Sequence, residues 1–411
     1  MIKFVLSSSL AILLAGCSSF SKRSGEVHDD ISRQNYSSAI ERLRPLALSD
    51  SKDQLVYLLD YATVLFMAGQ YQESAQAFIK ADKLAEIQDY HSLSKVTASI
   101  LLDEGQVQYK GDAYEVILIN AYLALNFLML GQLDDALVEC RRINEKLTRY
   151  KNEAKRDYEQ SSFARYLAAV IWEAKGQFTD AYLDYKFARD IDPSIPTIGE
   201  DLIRTAFLSR RWSDLKKWQA EYPDIKMASE WKNKNYGEIV YLFARGRGPI
   251  KQPHPASHRV PKLYPRSTLV QGFNVKILNG AEAVLNEIPS VPVYSVEEAA
   301  IKTLDGDYAG LIAKRAVGVG AKAVIADQVR QKSEALGALA WIGMNLVDQA
   351  DLRQWSLLPK DFQIARVYLP AGKYEVSADA IGYANESTYS SSEAIELKPR
   401  KKALRFMGLY R

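Results

Sequence analysis

The sequence predicts a mainly α N-terminal helical-repeat solenoid followed by an α+β C-terminal domain with a small antiparallel β-unit. Three observations lead there. Apolar residues recur at helical spacing from about residue 26 to about residue 244, with few prolines. Within that span one glycine-marked pattern appears three times. Beyond a proline- and glycine-rich break, alternating apolar segments bounded by turn residues take over. At 411 residues the chain exceeds one ordinary domain, and 47% hydrophobic with 25% charged residues is globular composition. A net charge of +3 is close to neutral for this length and argues against a nucleic-acid partner. The 24 tyrosines suit repeat packing and interaction faces.

Met1 to Cys17 reads MIKFVLSSSLAILLAGC. Lys3 supplies a positive start, and Phe4 to Leu14 is an apolar run too short to span a bilayer, so residues 1–17 read as a cleavable export signal. Leu14-Ala15-Gly16-Cys17 resembles the lipobox of bacterial lipoproteins. That resemblance implies a diacylglycerol on the Cys17 thiol and a firm anchor, because buried acyl chains contribute about 0.8 kcal/mol per CH₂. Ser18, where an aspartate would mark inner-membrane retention, implies the periplasmic face of the outer membrane. Residues 18–25 are polar and expected to be a flexible tether. With Cys17 acylated, only Cys140 remains, at an apolar helical position that suits a small buried hydrophobe.

In residues 26–244 the recurring pattern is Gly69, Tyr71, Ser74, Phe78, Ala81, then Gly131, Leu133, Ala136, Cys140, Ile143, then Gly176, Phe178, Ala181, Tyr185, Ala188, closed by Pro193. These segments resemble the tetratricopeptide repeat. The glycine ends the first helix in a left-handed conformation, the small residue lets two helices approach, and the next apolar residue buries between repeats. Leu58, Tyr61, Ala62 and Leu65, then Leu123, Ala124 and Phe127, then Ala168, Ala169 and Trp172 mark the preceding helices. Degenerate copies flank them: Tyr36, Ala39 and Leu43 upstream, Trp212, Leu215 and Trp218 downstream. The marker glycines are spaced wider than the regular unit of about 34 residues, so 86–115 and 144–160 are expected insertions or extra helices. An irregular right-handed solenoid with one concave face follows.

Gly111-Asp112-Ala113-Tyr114-Glu115 opens an unusually apolar helix, and Glu139-Cys140-Arg141-Arg142 follows. Together with Ala350, Asp351, Arg353, Trp355, Leu358 and Pro359, these residues resemble a largely uncharacterised group of tetratricopeptide envelope lipoproteins. Glu115, Glu139, Arg141 and Arg142 are therefore the candidate partner-binding residues. The competing reading makes them i,i+3 salt bridges on a solvated face. Asp351 and Arg353 are expected to pair, with Trp355 as a structural wedge.

Residues 245–266 form a basic Pro/Gly connector, expected as an ordered link or extended arm. His254 and His258 lie on it without an acidic or cysteine neighbour, so no metal site is expected. Residues 267–411 form the α+β domain. Leu269 to Leu278 is a strand turning at Asn279-Gly280, and Ala281 to Glu287 pairs back. The alanine- and glycine-rich stretch 308–350 reads as a buried helical hairpin or as a membrane-inserting or oligomerising one. Phe362 to Leu369, a tight turn at Pro370-Ala371-Gly372-Lys373, and a partner strand Tyr374 to Ala380 follow, with Ala394 to Leu397 and Ala403 to Gly408 closing the unit. The basic tail Lys398 to Arg411 reads as a solvated edge that blocks aggregation, or as a contact to anionic lipid or peptidoglycan.

No nucleophile elbow, phosphate loop or zinc-binding helical pair is present in the sequence, so neither an enzyme nor a cofactor is expected. The expected function is a membrane-anchored periplasmic scaffold that binds envelope proteins through its repeat groove. Two alternatives stand beside it: a structural subunit of a secretion or surface-appendage complex, and a peptidoglycan-binding protein.

Overall fold

The computed structural model describes residues 15–94, 108–154, 161–255, 257–278, 284–306 and 350–411. Among the described residues ten α-helices come first, arranged as five antiparallel pairs: α1 (Ala15–Ser32) with α2 (Tyr36–Leu48), α3 (Gln54–Met67) with α4 (Tyr71–Ser94), α5 (Ala113–Met129) with α6 (Leu133–Ala154), α7 (Ser162–Ala174) with α8 (Phe178–Ile191), and α9 (Ile198–Leu208) with α10 (Trp212–Glu221). The expected insertions partly lengthen the second helices, since α4 runs to Ser94 and α6 to Ala154.

One turn joins every pair. Gly69, Gly131 and Gly176 sit at φ near +75°. In each case the glycine N–H reaches the carbonyl three residues back and the next N–H reaches the one five back, as in Gly69 to Phe66 at 3.0 Å and Gln70 to Leu65 at 2.9 Å. The flanking pairs repeat the same two bonds with a non-glycine residue in the left-handed region, Gln34 at φ 59° and Arg210 at φ 58°. The left-handed conformation costs an L-residue about 1–2 kcal/mol, yet the turn persists because the packing on both sides fixes it. The degenerate outer copies are thus geometrically complete repeats.

Residues 18–25, expected as a tether, lie in α1 instead. Phe20 packs on the Tyr57 ring at 5.8 Å, and Val27 and Ile31 are buried against the next helices. Apolar positions 20, 27 and 31 share a helical face, so a polar-looking segment gains enough burial to order.

The expected helical region also ends earlier. After α10 and a short 3₁₀ turn (Ser229–Lys232), residues Tyr236–Arg245 form strand β1. Its run Ile239-Val240-Tyr241-Leu242-Phe243-Ala244 is buried on both faces, a pattern shared by buried helices and central strands. The basic connector is a hairpin, β2 (Ile250–His254) and β3 (Ser257–Tyr264). Then come β4 (Gly272–Leu278), β5 (Val284–Pro289), β6 (Val291–Ser295), a helix over 296–306, β7 (Asp361–Pro370), β8 (Gly372–Ile381), β9 (Ser387–Leu397) and β10 (Lys402–Leu409). Except for Ala350, the alanine- and glycine-rich stretch lies outside the described residues.

Two four-stranded sheets result, ordered β10-β1-β7-β6 and β5-β4-β8-β9, antiparallel except where β10 runs parallel to β1. The expected β7–β8 hairpin does not form. The tight turn after Pro370 carries the chain from one sheet to the other, because β7 pairs with β1 and β6 while β8 pairs with β4 and β9. Both faces of β7 are needed. Ala365 and Val367 join Ile239, Tyr241 and Phe243 in a core between the sheets, where Phe243 stacks on Phe273 at 4.3 Å. Phe362 and Ile364 turn the other way, with Val240 and Leu242, into a second core shared with the helices. Helices, first sheet and second sheet form three layers, and the first sheet is the middle one.

Candidate functional site: the inner face of the helices

The inner face is built from the first helix of each pair, α3, α5, α7 and α9, and the chain's own C-terminal half occupies it. Phe163 of α7 stacks on Phe362 at 4.6 Å, Phe66 of α3 meets Phe406 at 4.7 Å, and the Tyr122 hydroxyl of α5 lies 3.1 Å from that of Tyr410. Residues 350–360 cross this face as an irregular strap. Trp355, 1% exposed, wedges between Phe78 and Tyr122 with ring centroids at 5.6 and 5.2 Å. Its indole N–H donates to Thr63 Oγ1 at 2.9 Å.

Two buried carboxylates grip the strap backbone. Asp60, in the middle of the apolar helix α3, accepts from Ser356 N–H at 3.0 Å, Ser356 Oγ–H at 2.8 Å and Leu357 N–H at 3.1 Å. Glu115 accepts from Trp355 N–H at 2.7 Å, from Asp112 N–H at 3.0 Å as the reciprocal half of the α5 capping box, and from the Tyr109 hydroxyl. Burial pushes both carboxyls up, each to about 7. The strap's entry is tied by ion pairs. Arg353 binds Asp351, 2.6 Å away, and Asp53 at 2.7 Å, while Lys251 of β2 binds Asp112 at 2.5 Å and donates to the Arg353 carbonyl at 2.9 Å. The Asp351–Arg353 pair and the Trp355 wedge are thus as the sequence suggests.

Further along, Arg366 of β7 reaches from the sheet into the helices. Its guanidinium donates to Glu238 of β1 at 2.6 Å, Glu173 of α7 at 2.6 Å, Asp201 of α9 at 2.7 Å and the Tyr185 hydroxyl of α8 at 3.0 Å. Arg204 pairs with the same Glu173 at 3.0 Å and with Asp201, and Lys402 of β10 pairs with Glu238. Three acids and three bases therefore balance in a buried cluster. The arginines hold Glu173 well below the usual carboxylate range despite its burial, whereas burial lowers Lys402 to about 8. Lys402 belongs to this cluster, Arg405 pairs with Glu393, and Arg411 caps the α1 carbonyl of Ser32 at 2.7 Å. These three basic residues of the tail are therefore held by the fold, while Lys398, Arg400 and Lys401 stay exposed.

The structure separates the four sequence candidates. Glu115 is fully buried and committed to the chain's own strap, so it does not line a surface open to a partner. Glu139 is buried between α5 and α6, accepting from Asn120 at 2.6 Å and pairing with Arg142 at 3.4 Å. Arg142 is half exposed and also faces Asp82 of α4 at 3.8 Å, where Lys146 is bound too. Arg141 is exposed. Cys17 falls in α1, and its side chain lies outside the described residues. The Cys140 thiol is buried and pushed up by that burial, consistent with a packing role. Among the described residues no group of three metal-ligating side chains converges, and no helix is long and apolar enough to cross a membrane. Sequence reasoning missed Asp60 and Arg366. Each is a lone charge at an inward position of an apolar element, and that was the available signal.

No family model matches the sequence, and no curated protein matches it. Among solved structures, MamA from Desulfovibrio magneticus RS-1 (residue 41 to its end) is 16% identical over 50% of this chain and 91% of that one, with a TM-score of 0.33. The putative kinesin light chain of Podosopora anserina, built of nearly identical TPR-like repeats, is 14% identical over 50% and 97% of the two chains, with a TM-score of 0.33. MamA of AMB-1 is 12% identical over 52% and 95%, with a TM-score of 0.32.

Proposed function

We propose that this protein is a lipid-anchored scaffold of the bacterial cell envelope, held on the periplasmic face of the outer membrane through Cys17, whose helical repeats dock other proteins. The observation that carries the reading is the row of apolar side chains left exposed on the outer side of the helices, since the inner face is already occupied. That inner face holds an extended segment, 350–360, by an aromatic wedge and by carboxylates on backbone N–H groups, which is how a repeat groove takes a polypeptide. Because the chain's own strap fills that groove, partners engage the opposite face. The second helices of the pairs leave Ile79, Val138, Leu183, Phe187 and Trp212 exposed there, with Arg141 beside Val138 and Arg165 lying over the Phe187 ring at 4.7 Å. Exposed aromatic and aliphatic side chains flanked by arginine are the ordinary composition of protein interfaces.

A photoreactive amino acid placed singly at Val138, Arg141 or Phe187 in intact cells tests this. Discrete high-mass adducts from these positions, absent when the probe sits at buried Tyr122, are expected. Adducts from none of the three outer positions would overturn the reading. The anchor is tested separately, since Cys17→Ala should move the protein from the membrane fraction to the soluble one.

A further inference from the structure

Helix α1 carries the proposed anchor residue and belongs to the folded body almost from its first turn. It runs unbroken from Ala15 to Ser32, through Cys17. Phe20 lies on the Tyr57 ring of α3 at 5.8 Å, and Val27 and Ile31 are buried. From Cys17 to Phe20 the helical rise amounts to about 4.5 Å. A flexible tether over residues 18–25 would instead span about 16 Å and leave the direction of the body unfixed.

The start of α1 marks one end of the helical layer. The Phe20–Tyr57 contact sets it beside the start of α3, and the start of α5 lies there too. The Tyr109 N–H, just ahead of α5, donates to the Lys52 carbonyl, just ahead of α3, at 2.8 Å. Arg353 of the strap reaches Asp53 in the same loop at 2.7 Å. Helix α2 finishes at this end and leaves Leu48 55% exposed beside the polar 49–53 loop. Lys22 and Arg23, both exposed, follow Cys17 within two helical turns. The tight turns that close the five pairs, at Gln34, Gly69, Gly131, Gly176 and Arg210, stand at the opposite end.

We propose that the end of the helical layer formed by the start of α1, Leu48 and the 49–53 loop rests on the surface of a phospholipid bilayer, held there by α1, with the tight turns directed away from it. This orientation rests on the acylation of Cys17 proposed above and deepens that reading. Acyl chains on the Cys17 thiol insert below the headgroups, so the headgroup layer comes to lie against the residue that bears them. An ordered helix then passes that constraint to the body, which a tether would not. Lys22 and Arg23 fall within the reach of lipid phosphates, to which basic residues beside an anchor are attracted. Leu48 has the exposed apolar side chain that the headgroup–acyl boundary accepts. Val138, near the start of α6, and Trp212, the first residue of α10, lie on the side of the turns. The apolar row offered to partners is thereby presented clear of the membrane.

The acylated protein, reconstituted in vesicles of phosphatidylethanolamine and phosphatidylglycerol, tests this. Leu48→Cys, Asp50→Cys, Gln70→Cys and Gln132→Cys are made singly and labelled with a thiol-reactive fluorophore, which the acylated Cys17 and the buried Cys140 do not take up. Lipid spin-labelled at the headgroup should quench the probes at Leu48 and Asp50 several-fold more strongly than those at Gln70 and Gln132. A flexible glycine–serine insert between Ser19 and Phe20 should leave the protein on the vesicles and erase that difference. Protein that floats with the vesicles but is quenched equally at both ends, or more strongly at the turns, overturns the orientation and leaves the anchor standing. A difference that survives the insert overturns α1 as its cause. Protein that does not float with the vesicles overturns the anchor itself, and the orientation with it.

Discussion

Replacing Arg366 with methionine removes a side chain that bridges β7 to α7, α8, α9 and β1. Methionine fills comparable volume, so the cost is electrostatic. The parent cluster sets Glu173, Asp201 and Glu238 against Arg204, Arg366 and Lys402. Arg366→Met leaves three acids facing two bases, with Arg366 itself 9% exposed and the acids 0–2% exposed. Breaking a buried pair by removing one partner costs about 3–5 kcal/mol, and at this size roughly 2 °C accompanies each kcal/mol, so the melting temperature should fall by roughly 6–10 °C. Adding Asp201→Asn restores charge balance while Arg204 keeps Glu173 and Lys402 keeps Glu238. The double variant should therefore be more stable than the sum of the two single losses by about 0.5–3 kcal/mol. Calorimetry or circular dichroism on the four proteins reads both quantities. A loss below about 1 kcal/mol for Arg366→Met, or strict additivity with Asp201→Asn, would refute the cluster as the weld between helices and sheet.

Trp355→Ala should cost about 3–5 kcal/mol, the range for truncating a buried large aromatic, and Trp355→Phe less, since the wedge survives without the bond to Thr63; urea unfolding separates them. The buried carboxyls of Asp60 and Glu115 have folded pKa values raised above their unfolded ones, so the folded state holds more protons than the unfolded one between about pH 4 and about pH 7. Their contribution to stability is full below pH 4 and is lost as pH rises through about 7. Asp60→Asn, which keeps an acceptor for the two backbone N–H groups, should make stability less dependent on pH across that interval, and a variant whose pH profile parallels the parent's would contradict the assignment.

The repeats were legible because each one writes its turn in the sequence. Gly69, Gly131 and Gly176 are glycines for a conformational reason, and even the copies turning at Gln34 and Arg210 kept enough apolar periodicity to be found. Strand β1 was not legible as a strand, because burial on both faces erases the alternation that distinguishes strand from helix. The β7–β8 pairing failed for a related reason. A short turn between two alternating segments reads as a hairpin locally, while the choice to cross between sheets is made by Ala365, Val367, Phe362 and Ile364 each needing a different core. Helix α1 was hidden by its polar composition, since three apolar residues on one face sufficed once Tyr57 stood opposite. Of the candidate site, the Asp351–Arg353–Trp355 element was readable from its local pattern. The role of Glu115 was not, because its partner is Trp355, 240 residues away.

The strap at 350–360 is an integral part of the helical inner face. Amide hydrogen exchange at Trp355, Ser356 and Leu357 tests it most directly. Their N–H groups point at Glu115 and Asp60, so they should exchange as slowly as the core amides of α5 and β1, and Asp60→Ala should accelerate those of Ser356 and Leu357 ahead of global unfolding. Exchange in the parent protein as fast as that of an exposed loop would show the groove to be open and the account wrong.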